Sequence, residues 1–127
     1  MARVTGIGGI FFRAKDPKAL AKWYATHLGI HLEDWGGARL LWSDELPAGT
    51  GATAWNPFPQ STKYFGASGQ TYMINYRVDD LDGLLNSLAE AGVVTNPHRE
   101  DSPEGRFAWI DDPEGNRLEL WQPLVKK

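Results

Sequence analysis

Set against itself, the sequence aligns in four places, in the same order, and that doubling narrows the folds open to it. Gly9-Ile-Phe-Phe-Arg-Ala-Lys-Asp16 lies against Met73-Ile-Asn-Tyr-Arg-Val-Asp-Asp80, with Ile10 on Ile74, Phe12 on Tyr76, Arg13 on Arg77 and Asp16 on Asp80. Each run leads into an amphipathic segment that stops at a glycine, Gly29 or Gly92. Arg39-Leu-Leu-Trp42 then matches Arg106-Phe-Ala-Trp109, and Gly51-Ala-Thr-Ala-Trp55 matches Arg117-Leu-Glu-Leu-Trp121. The offset drifts through 64, 63, 67 and 66, so loops of unequal length join equivalent pieces.

Each half reads as strand, helix, then three strands. Residues 6–14 and 73–78 are rich in β-branched and aromatic side chains and suit strands. Asp16 offers a carboxylate to cap a helix and Pro17 suits its first turn. Leu20, Trp23, Tyr24, His27 and Leu28 share one helical face, and Gly29 can take the left-handed conformation that ends it. In the second half Asp79 or Asp80 caps, Leu81, Leu84, Leu85, Leu88 and Ala91 form the stripe, and Gly92 closes it. The remaining strands are expected near 31–34, 38–43 and 51–55, and near 94–98, 106–110 and 117–122. Asp112-Pro-Glu-Gly-Asn116 makes the tight reversal before the last of them. The expectation is a single α+β domain of two tandem βαβββ modules: module 1 over 1–57, a linking loop over 58–70, and module 2 over 71–127.

Alternation along the strands assigns their faces. Ile10, Phe12, Ala14, Ile74, Tyr76, Val78, Ala52, Ala54, Leu118 and Leu120 share an apolar parity that should pack on the helices. The opposite parity is mixed: Gly9, Phe11, Arg13, Thr53, Trp55, Met73, Asn75, Arg77, Arg117, Glu119 and Trp121. A face mixing Trp, Met, Asn, Arg and Glu suits an amphipathic concave surface for a small molecule. A half-exposed sheet face or a dimer contact laced with ion pairs would read the same way.

Composition removes several classes of function. At 127 residues, 42% hydrophobic and 23% charged, the chain is an ordinary globular domain. Its longest uncharged apolar run, residues 6–12, is far short of the ~20 residues that span a bilayer, and the start of the chain leads straight into a strand, so neither a membrane anchor nor a secretory signal is expected. A net charge of −3 with no basic stretch makes nucleic acid a poor partner. The absence of cysteine excludes disulfides, thiolate metal sites and cysteine nucleophiles, and fits a cytoplasmic location. There is no H-E-x-x-H, no G-x-S-x-G and no phosphate-binding loop. His27, His31 and His98 read as helix-end or surface residues.

Three stretches, Lys15-Asp-Pro…Trp23-Tyr24…Leu28-Gly29, Val78-Asp-Asp-Leu-Asp82 and Asp112-Pro-Glu-Gly-Asn-Arg-Leu-Glu-Leu-Trp121, resemble the vicinal oxygen chelate superfamily, which includes glyoxalase I, bleomycin-resistance proteins and extradiol dioxygenases. The resemblance covers nearly the whole chain. It implies eight strands in one curved sheet around a cleft, helices on the outer face, and a homodimer. Enzymes of this family usually hold a divalent metal at positions that fall here on Gly9, Thr53, Met73 and Glu119. Only Glu119 is an ordinary ligand for such an ion, since glycine has no side chain, methionine sulfur is soft and a threonine hydroxyl is a poor donor. The metal site is therefore expected to be degenerate, with no cofactor. The expected function is binding of a small amphipathic organic ligand, by sequestration or sensing, through Phe11, Arg13, Thr53, Trp55, Met73, Asn75, Arg77, Arg117, Glu119 and Trp121. The arginines point to an anionic or neutral ligand. The alternative is a glyoxalase- or dioxygenase-type enzyme, metal-free with Glu119 as base or using an unrecognised metal site. A third possibility is an interaction module whose cleft is filled by its own aromatic side chains.

Overall fold

The structure, a computed structural model, describes residues 2–41, 52–112 and 114–124. Its elements run β1 (Val4–Ala14), α1 (Pro17–Leu28), β2 (Ala38–Leu41), β3 (Ala52–Pro59), β4 (Tyr72–Val78), α2 (Leu81–Glu90), β5 (Thr95–Ser102), β6 (Gly105–Asp111) and β7 (Arg117–Pro123). The seven strands form one open sheet in the order β2-β3-β1-β4-β7-β6-β5. β1 and β4 pair antiparallel at its centre, with Ile10 directly opposite Ile74. Outward from that pair the connections match on both sides: β1 takes β3 as a parallel neighbour and β4 takes β7.

The helix ends form as their residues dictate. Asp16 accepts from the Ala19 amide at 3.0 Å, Pro17 opens α1, and Gly29 closes it at φ 71°. Of the two candidate caps for α2, it is Asp80 that accepts from the Gly83 amide at 3.1 Å. α2 buries Leu81 and Leu85 against Val78, Ala108 and Leu120, which forms the core on the helix side of the sheet. α1 differs from expectation. Among its described side chains Ala21 is the buried one, Tyr24 packs edge-on against Trp55, and Trp23 is half exposed. Trp42 and the side chains of His27 and Leu28 lie outside the described residues.

Two expectations about strands need correction. Eight strands were expected, but the described residues contain seven, because residues 31–34 do not form one. Instead the Glu33 amide donates to the Gly37 carbonyl and the Gly36 amide to Glu33, turning the chain sharply into β2. β3 also runs four residues beyond the expected end at Trp55, taking in Asn56 to Pro59 from what reads as loop. Beyond Trp55, β3 pairs with β1 alone, since β2 is already spent. Pro57 and Pro59, two apart, then turn their missing N–H toward the uncovered edge, where a strand tolerates proline.

Candidate functional site

The opposite face of the sheet holds a second cluster, built by Phe11, Met73, Trp109 and Phe65, with Phe58, Tyr64, Phe107 and Ala54 against it. Phe65 and Tyr64 come from the segment joining the halves, which crosses the cleft and is strapped down by two arginines. Arg13 donates to the carbonyls of Gln70 (2.8 Å) and Gln60 (2.9 Å) and lies over the Phe65 ring. Arg117 donates from its side chain to the Tyr64 carbonyl at 3.3 Å, and from its amide to Gln70 Oε1 at 2.7 Å.

Above this layer remains a cavity of about 250 Å³. Its walls are aromatic: Phe11, Phe58, Tyr64, Phe107 and Trp121, with half-exposed Trp35 at the rim. Trp121 is fixed by its indole N–H, which donates to the Glu104 carbonyl at 2.9 Å. The polar lining is sparse: Asn56, Asn75 and Glu119, with Arg39 and Glu104 as the remaining charges.

Glu119 is 1% exposed, in the middle of β7, directly across the ladder from Asn75 on β4. Among the described residues only neutral groups donate to it: Asn75 Nδ2 to Oε1 at 2.5 Å, Trp109 Nε1 to Oε2 at 2.9 Å, and the Tyr64 hydroxyl, also to Oε2. Burial pushes its carboxyl up from the ordinary value, against the pull of these three donors. Burial and the facing carboxylate likewise push the Tyr64 phenol up, so it stays a donor. The buried Asn75 Oδ1 has no hydrogen-bond partner among the described residues. It occupies the space over Gly8, where an added Cβ would lie 1.9 Å from it. Glycine at position 8, in the irregular stretch where β1 slips register against β4, is therefore what lets Asn75 sit beside Glu119.

The site residues read from the sequence divide into four groups. Phe11, Asn75, Glu119 and Trp121 line the cavity. Met73 lies beneath it, fully buried. Arg13 and Arg117 serve the strap, and Arg77 donates to the carbonyls of Ala52 (2.9 Å) and Ile7 (3.4 Å). On β3 the expected parity is reversed. Trp55 packs on the helix side with Phe12 and Tyr24, Thr53 shares its side, and Ala54, Asn56 and Phe58 face the cleft. Matching Trp55 to Trp121 misled the alternation. In the ladder, Asn56 opposes Phe11 as Glu119 opposes Asn75, so Asn56 holds the place equivalent to Glu119. Asn56 and Tyr64 were missed because the first falls past the expected end of its strand at Trp55 and the second in the stretch that reads as the linking loop. The signal for Asn56 was Pro57 and Pro59 two apart, which permits an extended strand edge.

Residues 6–120 match the sequence profile of the Glyoxalase/Bleomycin resistance protein/Dioxygenase superfamily. The chain belongs to this superfamily. No curated protein matches it in sequence. Among solved structures, this superfamily member is similar to methylmalonyl-CoA epimerase from Mycobacterium tuberculosis, with TM-score 0.62 and 22% identity over 96% of this chain and 90% of the other. A Streptomyces coelicolor methylmalonyl-CoA epimerase variant in complex with 2-nitronate-propionyl-CoA gives TM-score 0.66 and 16% identity, over 98% and 99%. A superfamily member from Vibrio splendidus 12B01 gives 0.54 and 14%, over 96% and 99%. At these identities the likeness is one of fold.

A divalent metal of the kind this superfamily often carries does not fit the residues present. Such an ion needs three or four protein donors. The cavity lining offers two neutral amides, the Glu119 carboxylate, whose two oxygens already accept hydrogen bonds, and the Glu104 carboxylate, which accepts from the Ser102 hydroxyl. Among the described residues no three of His, Cys, Asp or Glu come together as a metal-binding group. Nor is any described helix long and apolar enough to cross a membrane.

Proposed function

We propose that the cavity binds a small organic molecule and that Glu119 serves it as a general base in a metal-independent proton transfer of the isomerase or lyase type. The observation that carries this reading is a carboxyl buried at an aromatic cavity wall, with raised proton affinity and, among the described residues, no cation hydrogen-bonded to it. Oε1 accepts one hydrogen bond, from Asn75, and so keeps a lone pair for a substrate proton. In an isomerisation, Glu119 takes a proton from carbon next to a carbonyl group and returns it to the other face or to a neighbouring position, so no further reactant is consumed. Asn56, with a donor and an acceptor on one amide, is placed to hold the carbonyl oxygen. The structural neighbours named as epimerases support an enzyme of this general type. Their CoA esters are not carried over, because the phosphates of such a ligand call for cations and, among the described residues, Arg39 is the one cation lining the cavity.

Sequestration or sensing, without chemistry, is favoured by a different observation: three donors already occupy Glu119 and lower its basicity. Deuterium uptake separates the two. Enolisable carbonyl compounds are incubated in D2O with chelator-treated protein and followed by proton NMR. The base reading expects exchange by the wild type and a loss of about 10²–10⁴-fold in Glu119→Gln. Compounds that bind without exchanging would establish the sequestration reading, and exchange that needs an added divalent ion would overturn both.

The tandem modules and the homodimer belong to the same proposal. Support for the first is the matched strand order on either side of β1 and β4. The second is supported by the helix-side face of that central pair, where Ile7, Ile10 and Tyr72 are 41%, 41% and 57% exposed between the helices.

A further inference from the structure

The charges around the cavity narrow the ligand class, an inference that rests on the cavity being the binding site as proposed above. We propose that the ligand is a neutral, planar, ring-bearing compound of one or two rings that presents an O–H or N–H donor.

Size sets the first limit. A cavity of about 250 Å³ lies below the roughly 300–1,000 Å³ of sites for drug-sized ligands, which leaves room for a fragment. Charge sets the second. The three arginines that the sequence places on this face all spend their side chains on backbone carbonyls, and none lines the cavity. Arg39 does line it, but lies 3.9 Å from Glu33 and shares the cavity lining with Glu104. An anion bound deep in the cavity would lose its hydration and meet the Glu119 carboxyl with no cation in compensation. The third limit is hydrogen-bond polarity. Glu119 is an acceptor whose Oε1 takes one hydrogen bond and keeps a lone pair, so the polar side of the cavity asks for a donor.

The protein's own Tyr64 shows the same chemistry within the fold. Its phenol donates to Glu119, while its ring stacks on Phe58 at 5.1 Å and meets Trp109 edge-on at 5.7 Å. A donor-bearing ring held between aromatic faces and a carboxyl is thus already one stable arrangement here.

The test measures dissociation constants for phenol, indole, toluene, benzoate and phenyl phosphate on chelator-treated, full-length protein, using the ¹⁵N–¹H resonance of the Trp121 indole. Phenol and indole should bind about tenfold tighter than toluene, and tighter still than benzoate and phenyl phosphate. Ala54→Trp should abolish the shift, and the milder Ala54→Leu should weaken it, with the rest of the spectrum reporting the fold. Benzoate or phenyl phosphate binding as tightly as phenol would overturn neutrality, and toluene matching phenol would overturn the donor requirement. Absence of any shift, or binding that persists in both Ala54 variants, would overturn the whole inference. Phenol binding without deuterium exchange in any carbonyl compound removes the base role of Glu119 and leaves this inference standing. Exchange confined to anionic compounds does the reverse.

Discussion

Removing one oxygen atom, in Tyr64→Phe, tests the buried network more cleanly than any deletion. The phenylalanine ring keeps the stacking on Phe58 and the edge contact with Trp109, so packing is nearly conserved. Lost is the hydroxyl's hydrogen bond to Glu119. Oε2 retains the Trp109 N–H, so the carboxyl is not stripped bare. A hydrogen bond contributes about 0.5–1.5 kcal/mol between neutral groups and about 1.5–3 kcal/mol to a charged one, so the expected loss of unfolding free energy lies between about 0.5 and 3 kcal/mol. Urea denaturation at neutral pH reads it as a fall in midpoint at constant slope. Glu119→Gln and the double variant complete a cycle whose coupling should be about 1–2 kcal/mol, the scale for residues in one hydrogen-bond network. The same substitution removes one of the donors that pull the Glu119 carboxyl down, so its proton affinity should rise further. A Tyr64→Phe protein within about 0.3 kcal/mol of wild type, additive with Glu119→Gln, would refute the reasoning.

Three further outcomes follow from the same geometry. Gly8→Ala drives a Cβ to 1.9 Å from Asn75 Oδ1 and 2.8 Å from the Trp121 ring, and should cost about 1–3 kcal/mol in a denaturation experiment while weakening probe binding. Asp80→Ala removes the carboxylate that receives the Gly83 amide and should lower stability by about 0.5–2 kcal/mol without altering the Trp121 indole shift on phenol binding. Stability should fall as pH rises above the ordinary glutamate range, because the folded state binds the Glu119 proton more tightly than the unfolded chain does. That slope reaches at most about 1.4 kcal/mol per pH unit for one proton, and it should vanish in Glu119→Gln.

Much of the fold was legible because local chemistry and global arrangement agree. Asp16 and Asp80 cap, Gly29 stops a helix, and Leu118 and Leu120 alternate with Glu119 around a clear two-residue period. β3 was legible in position but not in facing. Its short run of alanines carries no apolar contrast, so the one large residue, Trp55, was matched to Trp121 when it in fact packs under α1 with Tyr24. The arginines read as ligand contacts because strand parity gives a side, not a partner. Only the three-dimensional path of the segment joining the halves shows that its carbonyls claim Arg13 and Arg117. Tyr64 was illegible for the same reason, since its partner Glu119 stands 55 residues away and nothing in a turn-rich stretch specifies so distant a contact.

The account stands on Glu119 being a buried carboxyl with raised proton affinity, served by neutral donors and not by a metal. Titration of its ¹³Cδ resonance in chelator-treated protein, repeated with added nickel, zinc or magnesium, addresses this directly. The account predicts a midpoint above that of an exposed glutamate, unmoved by any of the three ions. A midpoint at or below the ordinary value, or one displaced by a stoichiometric ion, would contradict it.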